Sequence, residues 1–491
     1  MNNFKTNFVS GVSWTFIQQI ISYITLFVFG VILARLLSPE EFGIVGIVGI
    51  FLGILPIFVD GGFANALIQR KECSDSDYST VFYFNVVMSI LLYVILFFSS
   101  EKIAEFFNNE KLILITRVLG LNLIISAISS IQNVILSRQL NFKIIAKVTL
   151  IAQIVSGIIA VIAAFIGYGI WALVLRSLLQ SIIQTTLFYT NNNWYPKLKF
   201  SFQIIKGLYS YGSKLFIGRL ISVLFQNAFV FVIGKFYSPA QLGYYTRANT
   251  FSQLPSQNLT AVVQKVAFPA FAQIQDDSER LLAANRKIMK VLMFASSILM
   301  IGLAASAEAF VISLVGEKWR PSIIYLQILC FSVLFYPAHS INVNILNVVG
   351  RSDLSLRLTV IKQLLLIPII LVGIYNGIVF MLIGMVFYSS VIFFVNSIWA
   401  NKLIQYSVRK QIFDIIPSLI ISTFVGLLIY LIAIPLQGTN YMFILLIQIM
   451  TGAISTFIIC EAIKYEPYIE IKEIILLYIF RPIISKLSNK E

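Results

Sequence analysis

The sequence predicts an all-α, polytopic membrane protein of about 14 transmembrane helices, arranged as two pseudo-symmetric six-helix bundles plus two C-terminal helices. Three observations predict it. Of 491 residues, 58% are hydrophobic and only 12% charged, about half of the roughly 25% charge of a soluble domain. Charged and turn-forming residues cluster so as to leave apolar windows of about 20 residues, the length that crosses a bilayer. The sequence also echoes itself at an offset of 200 residues.

The windows lie near 11–37, 42–68, 79–99, 112–136, 144–166, 169–190, 211–234, 243–265, 288–312, 322–348, 355–373, 377–400, 413–434 and 441–462. None of the intervals between them could hold a folded soluble domain. The first stretch is long enough to remain as a span rather than serve as a cleaved leader. The even-numbered connections, taken with the N-terminal tail, hold twenty Lys and Arg, and the odd-numbered connections hold six: Arg35, Lys102, Lys111, Lys235, Lys318 and Arg320. Basic residues mark the cytoplasmic side, so the even side and both termini are expected to face the cytoplasm. Orientation thereby accounts for the formal charge of +15, and a nucleic-acid partner is not implied. Residues 469–487, with charges spaced among isoleucines, read as an amphipathic helix on the inner leaflet.

The repeat aligns Phe16-Ile17 with Phe216-Ile217, Phe29 with Phe229, and Ser38-Pro39-Glu40-Glu41-Phe42-Gly43 with Ser238-Pro239-Ala240-Gln241-Leu242-Gly243. Six spans separate the copies, an even number, so both enter the membrane from the same side, as in parallel transporter repeats. In each matched corner the Ser is an N-cap, the Pro takes the first helical position, and Glu41 or Gln241 closes a capping box. The short turns at Gly169-Ile170 and Gly377-Ile378 are a second echo. The expected division is 1–200, a first bundle; 201–405, its parallel copy; and 406–491, two further spans with a cytoplasmic tail.

Composition excludes most chemistry. One histidine and three cysteines, Cys73, Cys330 and Cys460, supply neither a zinc site nor a hydrolytic triad. There is no GxxxxGK phosphate loop. Neither catalytic residues, metal ligands nor a cofactor are expected, and the chain reads as a non-enzyme.

Polar residues inside spans carry the functional expectation, because lipid does not tolerate them unless they face protein or water. The eighth span bears Thr246, Asn249, Gln253, Ser256, Gln257, Thr260 and Gln264 at helical spacing, with Arg247, Asn258 and Lys265 nearby and Pro255 as a potential hinge. The seventh offers Arg219, Ser222 and Gln226 on one face, the fourth Arg117 and Asn122, the sixth Arg176, and the tenth His339, Asn342 and Asn344. The second places Gly43, Gly46, Gly49 and Gly53 on related faces, then ends in Pro56 and Asp60-Gly61-Gly62, a close-packing surface with a flexible corner. Five cations, Arg117, Arg176, Arg219, Arg247 and Lys265, face only two plausible acids, Asp60 and Glu308. Each unpaired charge costs roughly 3 kcal/mol or more at mid-bilayer. A wet, net-positive cavity between the bundles would keep them charged and would hold an anion, Arg gripping phosphate with two donors. Arg219, Arg247, Lys265, Arg117, Gln257, Asn258 and Gln226 are therefore the candidate substrate-binding set. Asp60, Glu308 and His339 are the candidates for proton or sodium coupling. Each also has a bland reading: the cations snorkel to headgroups, Asp60 caps a broken helix, and His339 is a hydrogen-bonded core residue.

The stretches Asp60-Gly61-Gly62-Phe63, Ala66-Leu67-Ile68-Gln69-Arg70-Lys71 and Ser79-Thr80-Val81-Phe82 resemble Wzx-type polysaccharide or O-antigen flippases. So do Leu242-Gly243-Tyr244-Tyr245-Thr246-Arg247-Ala248, Phe268-Pro269, Gln273-Ile274-Gln275-Asp276-Asp277, residues 319–329 and Gly350-Arg351-Ser352-Asp353. That family belongs to the multidrug/oligosaccharidyl-lipid/polysaccharide (MOP) superfamily, and the likeness is greatest to its lipopolysaccharide and teichuronic acid exporter branch. The resemblance implies a MATE-like fold and alternating access carrying an undecaprenyl-diphosphate-linked oligosaccharide to the outer leaflet of a bacterial cytoplasmic membrane. It also implies partners among membrane lipids, a polysaccharide polymerase and a chain-length regulator. A lipid-linked peptidoglycan precursor flippase, a cation-coupled multidrug antiporter and a non-transporting scaffold of a glycan synthase remain as alternatives. The motifs identify no sugar and carry no residue roles.

Overall fold

The computed structural model describes residues 2–262 and 267–476, and every regular element among them is helical. The chain forms two compact units, Met1–Thr246 and Arg247–Glu491. The described residues contain twelve segments long and apolar enough to cross a membrane. Of the fourteen expected spans, the two outside that group are the sixth and the eighth, whose arginines and amides lower their apolarity.

The first unit runs through α1 (Asn2–Leu36), α2 (Pro39–Asp60), α3 (Phe63–Gln69), α4 (Asp75–Phe106), α5 (Lys111–Arg138), α6 (Phe142–Phe165), α7 (Trp171–Asn191), α8 (Phe202–Phe236) and the start of α9 (Pro239–Val262). Both expected capping boxes form. The Ser38 N–H donates to Glu41 Oε2 at 2.7 Å, and the Glu41 N–H donates to Ser38 Oγ at 3.4 Å. In the copy, the Ser238 N–H donates to Gln241 Oε1 at 3.2 Å and the Gln241 N–H to Ser238 Oγ at 3.3 Å. The second span breaks where the glycine pair stands: Gly61 and Gly62 take φ of 55° and 83°, a left-handed backbone that other residues adopt at a cost. A third capping box, Ser74 with Asp77, starts α4.

Helix α8 lies antiparallel along α2. Gly234 faces Ile47, Gly53 faces Asn227, the Phe58 and Phe216 rings meet edge-on at 5.2 Å, and Gly62 abuts the Gly212 backbone. The first turns of α2 and α9 cross with no room for a side chain. A Cβ on Gly43 would sit 1.8 Å from the Pro239 carbonyl oxygen, and one on Gly243 would sit 1.9 Å from the Pro39 oxygen. These contacts are reciprocal under the 200-residue offset, so a local two-fold passes between the two helix starts, the signature of an isologous contact. Helix α8, which opens the second expected copy, packs on α2 within the first compact unit.

The second unit holds the rest of α9, then α10 (Phe268–Gln273), α11 (Ser278–Ala305), α12 (Ala307–Val315), α13 (Ser322–Val333), α14 (Tyr336–Val348), α15 (Ser352–Asn376), α16 (Ile378–Ile404), α17 (Val408–Ala433), α18 (Tyr441–Ala462) and α19 (Glu466–Ile475). Spans nine and ten are each broken, at Ser306 and just before Pro337. Its core packs α11, α14, α16 and α17 around Met289, Met293, Ile341, Ile345, Phe393 and Ile415. Helix α19 docks on α11 through Lys287–Glu470 at 2.9 Å and Lys290–Glu466 at 3.1 Å. The remainder of the expected surface helix, beyond residue 476, lies outside the described residues. Phe98, Phe387 and Ile420 are among the large apolar side chains left exposed for lipid.

Candidate functional site

In the first unit α8 carries Arg219, Ser222 and Gln226. Arg219 and Gln226 are exposed, and Ser222 is tied back to the Gly218 carbonyl at 2.9 Å. The Arg219 charge acts on Asp60 across the α2–α8 contact. The antiparallel register explains this, since it sets the C-terminal end of α2 beside the N-terminal half of α8. Asp60 itself accepts a hydrogen bond from the Ala64 N–H at 3.1 Å, filling one of the orphan donors at the start of α3.

Arg117 and Arg176, the two further cations expected inside spans of this unit, are differently placed. Arg117 is engaged inside the α4–α5 pair: it donates to Ser100 Oγ at 2.9 Å and Glu101 Oε1 at 2.8 Å, and stacks 4.4 Å from the Phe97 ring centre. Sequence reasoning missed Glu101 as a partner because it lies one hairpin away, at the far end of α4. Arg176 sits 5.9 Å from the Phe29 ring with Nη2 unbonded among the described residues.

In the second unit Arg247 is buried, with the Phe251 and Trp319 ring centres each 5.7 Å from its guanidinium carbon. Cation–π contacts of this kind contribute about 0.5–2 kcal/mol each. Along α9 the amides form a ladder at i, i+4 spacing: Gln257 donates to Gln253 at 3.4 Å and Gln253 to Asn249 at 3.4 Å, with Gln257 exposed at its end. Ser256 crosses to the Val333 carbonyl at 3.3 Å. The helix runs through Pro255 without interruption. Lys265 and the Asn258 side chain lie outside the described residues.

The coupling candidates are all locally engaged. Glu308 pairs with Arg320 at 2.8 Å. Arg320 also binds Glu317 and the Tyr441 hydroxyl, which raises the guanidinium further and holds the Glu317 carboxyl below its usual range. His339 is braced by Ser389 Oγ at 3.2 Å and Asn396 Nδ2 at 3.4 Å. Two ionic features were not anticipated. Asp414, nearly buried, takes both donors of Arg286 at 2.8 Å and the Tyr406 hydroxyl at 2.7 Å. Lys362, inside the expected span 355–373, lies ten residues into α15, about 15 Å along it, where its charge acts on His339. Its position within that span was the signal that could have marked it.

A family profile described as "Polysaccharide biosynthesis protein" matches residues 32–324. The teichuronic acid biosynthesis protein TuaB of Bacillus subtilis (strain 168) is 27% identical over 72% of this chain and 74% of its own. The lipopolysaccharide biosynthesis protein WzxC of Escherichia coli (strain K12) is 28% identical over 74% of this chain and 75% of its own. Among solved structures, the lipid II flippase MurJ in an inward closed conformation matches 94% of this chain and all of its own, with a TM-score of 0.72 at 18% identity, a likeness of fold.

Proposed function

The chain belongs to the polysaccharide biosynthesis protein family, and on that premise we propose that it flips an undecaprenyl-diphosphate-linked oligosaccharide across the bacterial cytoplasmic membrane by alternating access. The observation that carries the reading is the reciprocal packing of Gly43 on Pro239 and of Gly243 on Pro39. It supports a repeat-built carrier whose two copies meet at equivalent points, an architecture suited to motion of one copy against the other.

In the first unit we assign the diphosphate to Arg219, with Gln226 one face-repeat along α8. In the second we assign sugar hydroxyls to the exposed end of the Gln253–Gln257 ladder. Lys265 and Asn258 remain members of the set by sequence alone. Arg247, between its two rings, and Arg117, paired with Glu101, serve the reading as braces that keep polar helices in register. The positive-inside count supports cytoplasmic termini. A polymerase and a chain-length regulator are the partners that such a cargo needs downstream, and the chain itself performs no covalent chemistry. The antiporter reading is less well served, because a site for cationic drugs needs free carboxylates, and Asp60 and Glu308 both have partners.

The test is reconstitution into proteoliposomes with a fluorescent lipid-linked oligosaccharide and a membrane-impermeant quencher. Protein-dependent movement of the label to the opposite leaflet is expected. Label that stays put in the presence of folded protein overturns the proposal.

A further inference from the structure

The second unit contains a cleft of about 690 Å³ that the cargo pathway proposed above does not use. It lies between α12, α13, α17 and α18, and its rim is built from the ninth and thirteenth connections, both on the odd-numbered side. Its size falls in the range of small-molecule sites. Glu308, Arg320 and Tyr441 stand at the rim, Tyr430 and Gln327 on the walls. Gln448, about two turns into α18 and only 2% exposed, also lines it.

Three observations select the ligand. First, the cation at the mouth is already spent: Arg320 donates to Glu308 at 2.8 Å, to Glu317, and to the Tyr441 hydroxyl at 3.1 Å. The charged residues lining the cleft, Glu308 and Arg320, neutralise each other and leave no free cation there for phosphate. Second, Gln448 gives its Nε2 to the Ile429 carbonyl at 3.1 Å, while its buried Oε1 has no partner among the described residues. A buried acceptor of this kind calls for a donor such as a hydroxyl. Third, the Tyr430 ring is more than half exposed, and an amphipathic ring beside planar amides presents both an apolar face and polar edges. A separate groove between α13 and α16, lined by Ile328, Phe331, Ile383 and Phe387, has the apolar lining that suits acyl chains.

We propose that this cleft is a binding site for a neutral, hydroxyl-rich sugar residue on the outer face, with Gln448 Oε1 accepting from a hydroxyl and Tyr430 stacking on the pyranose. The assignment of the outer face and of a glycan cargo rests on the function proposed above. The test is saturation-transfer NMR on the full-length protein in nanodiscs, using the methyl glycosides of glucose, galactose and N-acetylglucosamine, with glycerophosphoethanolamine as the headgroup probe. At least one neutral glycoside is expected to show transfer that falls five-fold or more in both Gln448→Leu and Tyr430→Ala. Tyr430 is exposed, so its variant folds. Gln448→Leu removes the orphaned acceptor together with the Nε2 bond to the Ile429 carbonyl, so its Tm is read beside its binding, and Tyr430→Ala carries the test by itself if Gln448→Leu does not fold. Absence of transfer to every glycoside, transfer indifferent to both variants, or transfer only to glycerophosphoethanolamine would each overturn the site. Flipping that persists without sugar binding sinks this site and leaves the transport reading standing; sugar binding without flipping does the reverse.

Discussion

Replacing Gly43 with alanine tests the repeat contact directly. The new Cβ would stand 1.8 Å from the Pro239 oxygen, which is backbone and cannot rotate away. An ordinary carbon–oxygen contact needs the two helix starts to separate by about 1.5 Å, and even a 0.5–1 Å gap forfeits a quarter to a half of a dispersion contact. Overpacking costs typically 1–3 kcal/mol, and this position belongs at the upper end, about 3 kcal/mol. Alanine returns up to about 1 kcal/mol in helix propensity, so the net loss is about 2 kcal/mol. Gly49, on the same helix with nothing within 4 Å of a built Cβ, should gain that 1 kcal/mol instead. Gly243→Ala should match Gly43→Ala, because its Cβ meets the Pro39 oxygen at 1.9 Å. The double variant should cost less than the sum, since the first substitution already parts the helices. Thermal unfolding of the purified protein in detergent, followed by loss of the monodisperse chromatographic peak, reads all four. A Gly43→Ala protein as stable as Gly49→Ala, or a large disparity between Gly43→Ala and Gly243→Ala, refutes the reciprocal contact.

Arg219→Ala should lower flipping roughly 30-fold, the equivalent of a lost charge-assisted contact of about 2 kcal/mol, with little change in Tm because the side chain is exposed. Arg117→Ala should do the opposite, lowering Tm while transport per folded molecule holds, as measured in the same vesicles. Asp60→Asn keeps the oxygen that accepts from Ala64 and should leave membrane abundance intact, whereas Asp60→Ala should destabilise by about 1 kcal/mol; a pH-independent Asp60→Asn transporter would then identify this carboxylate as the coupling group. Burial pushes the Cys73 thiol above its ordinary value. Its thiolate fraction at neutral pH is therefore reduced, and alkylation should be slower than for a free thiol and should accelerate as pH rises past the usual thiol range; rapid labelling at pH 7 contradicts that burial.

Much of this molecule is legible in one dimension. Span positions follow from where charges cluster, because lipid cannot solvate them, and the two capping boxes follow from Ser38 and Ser238 with their third-position partners. The glycine pair at 61–62 announced a break for the same local reason. The repeat was visible because equivalent helix starts require the same few residues. What tertiary structure decided is which charges have partners. Arg117 meets Glu101, Arg286 meets Asp414 and Arg320 meets Glu308 across separate helices, and no periodicity encodes which distant carboxylate a guanidinium reaches. The same holds for the reciprocal seat of Gly43 and Gly243. Sequence marked both as small residues on a packing face, but only the crossing of α2 with α9 brings each against the other copy's proline carbonyl, because close approach is a property of two backbones and not of either chain segment alone.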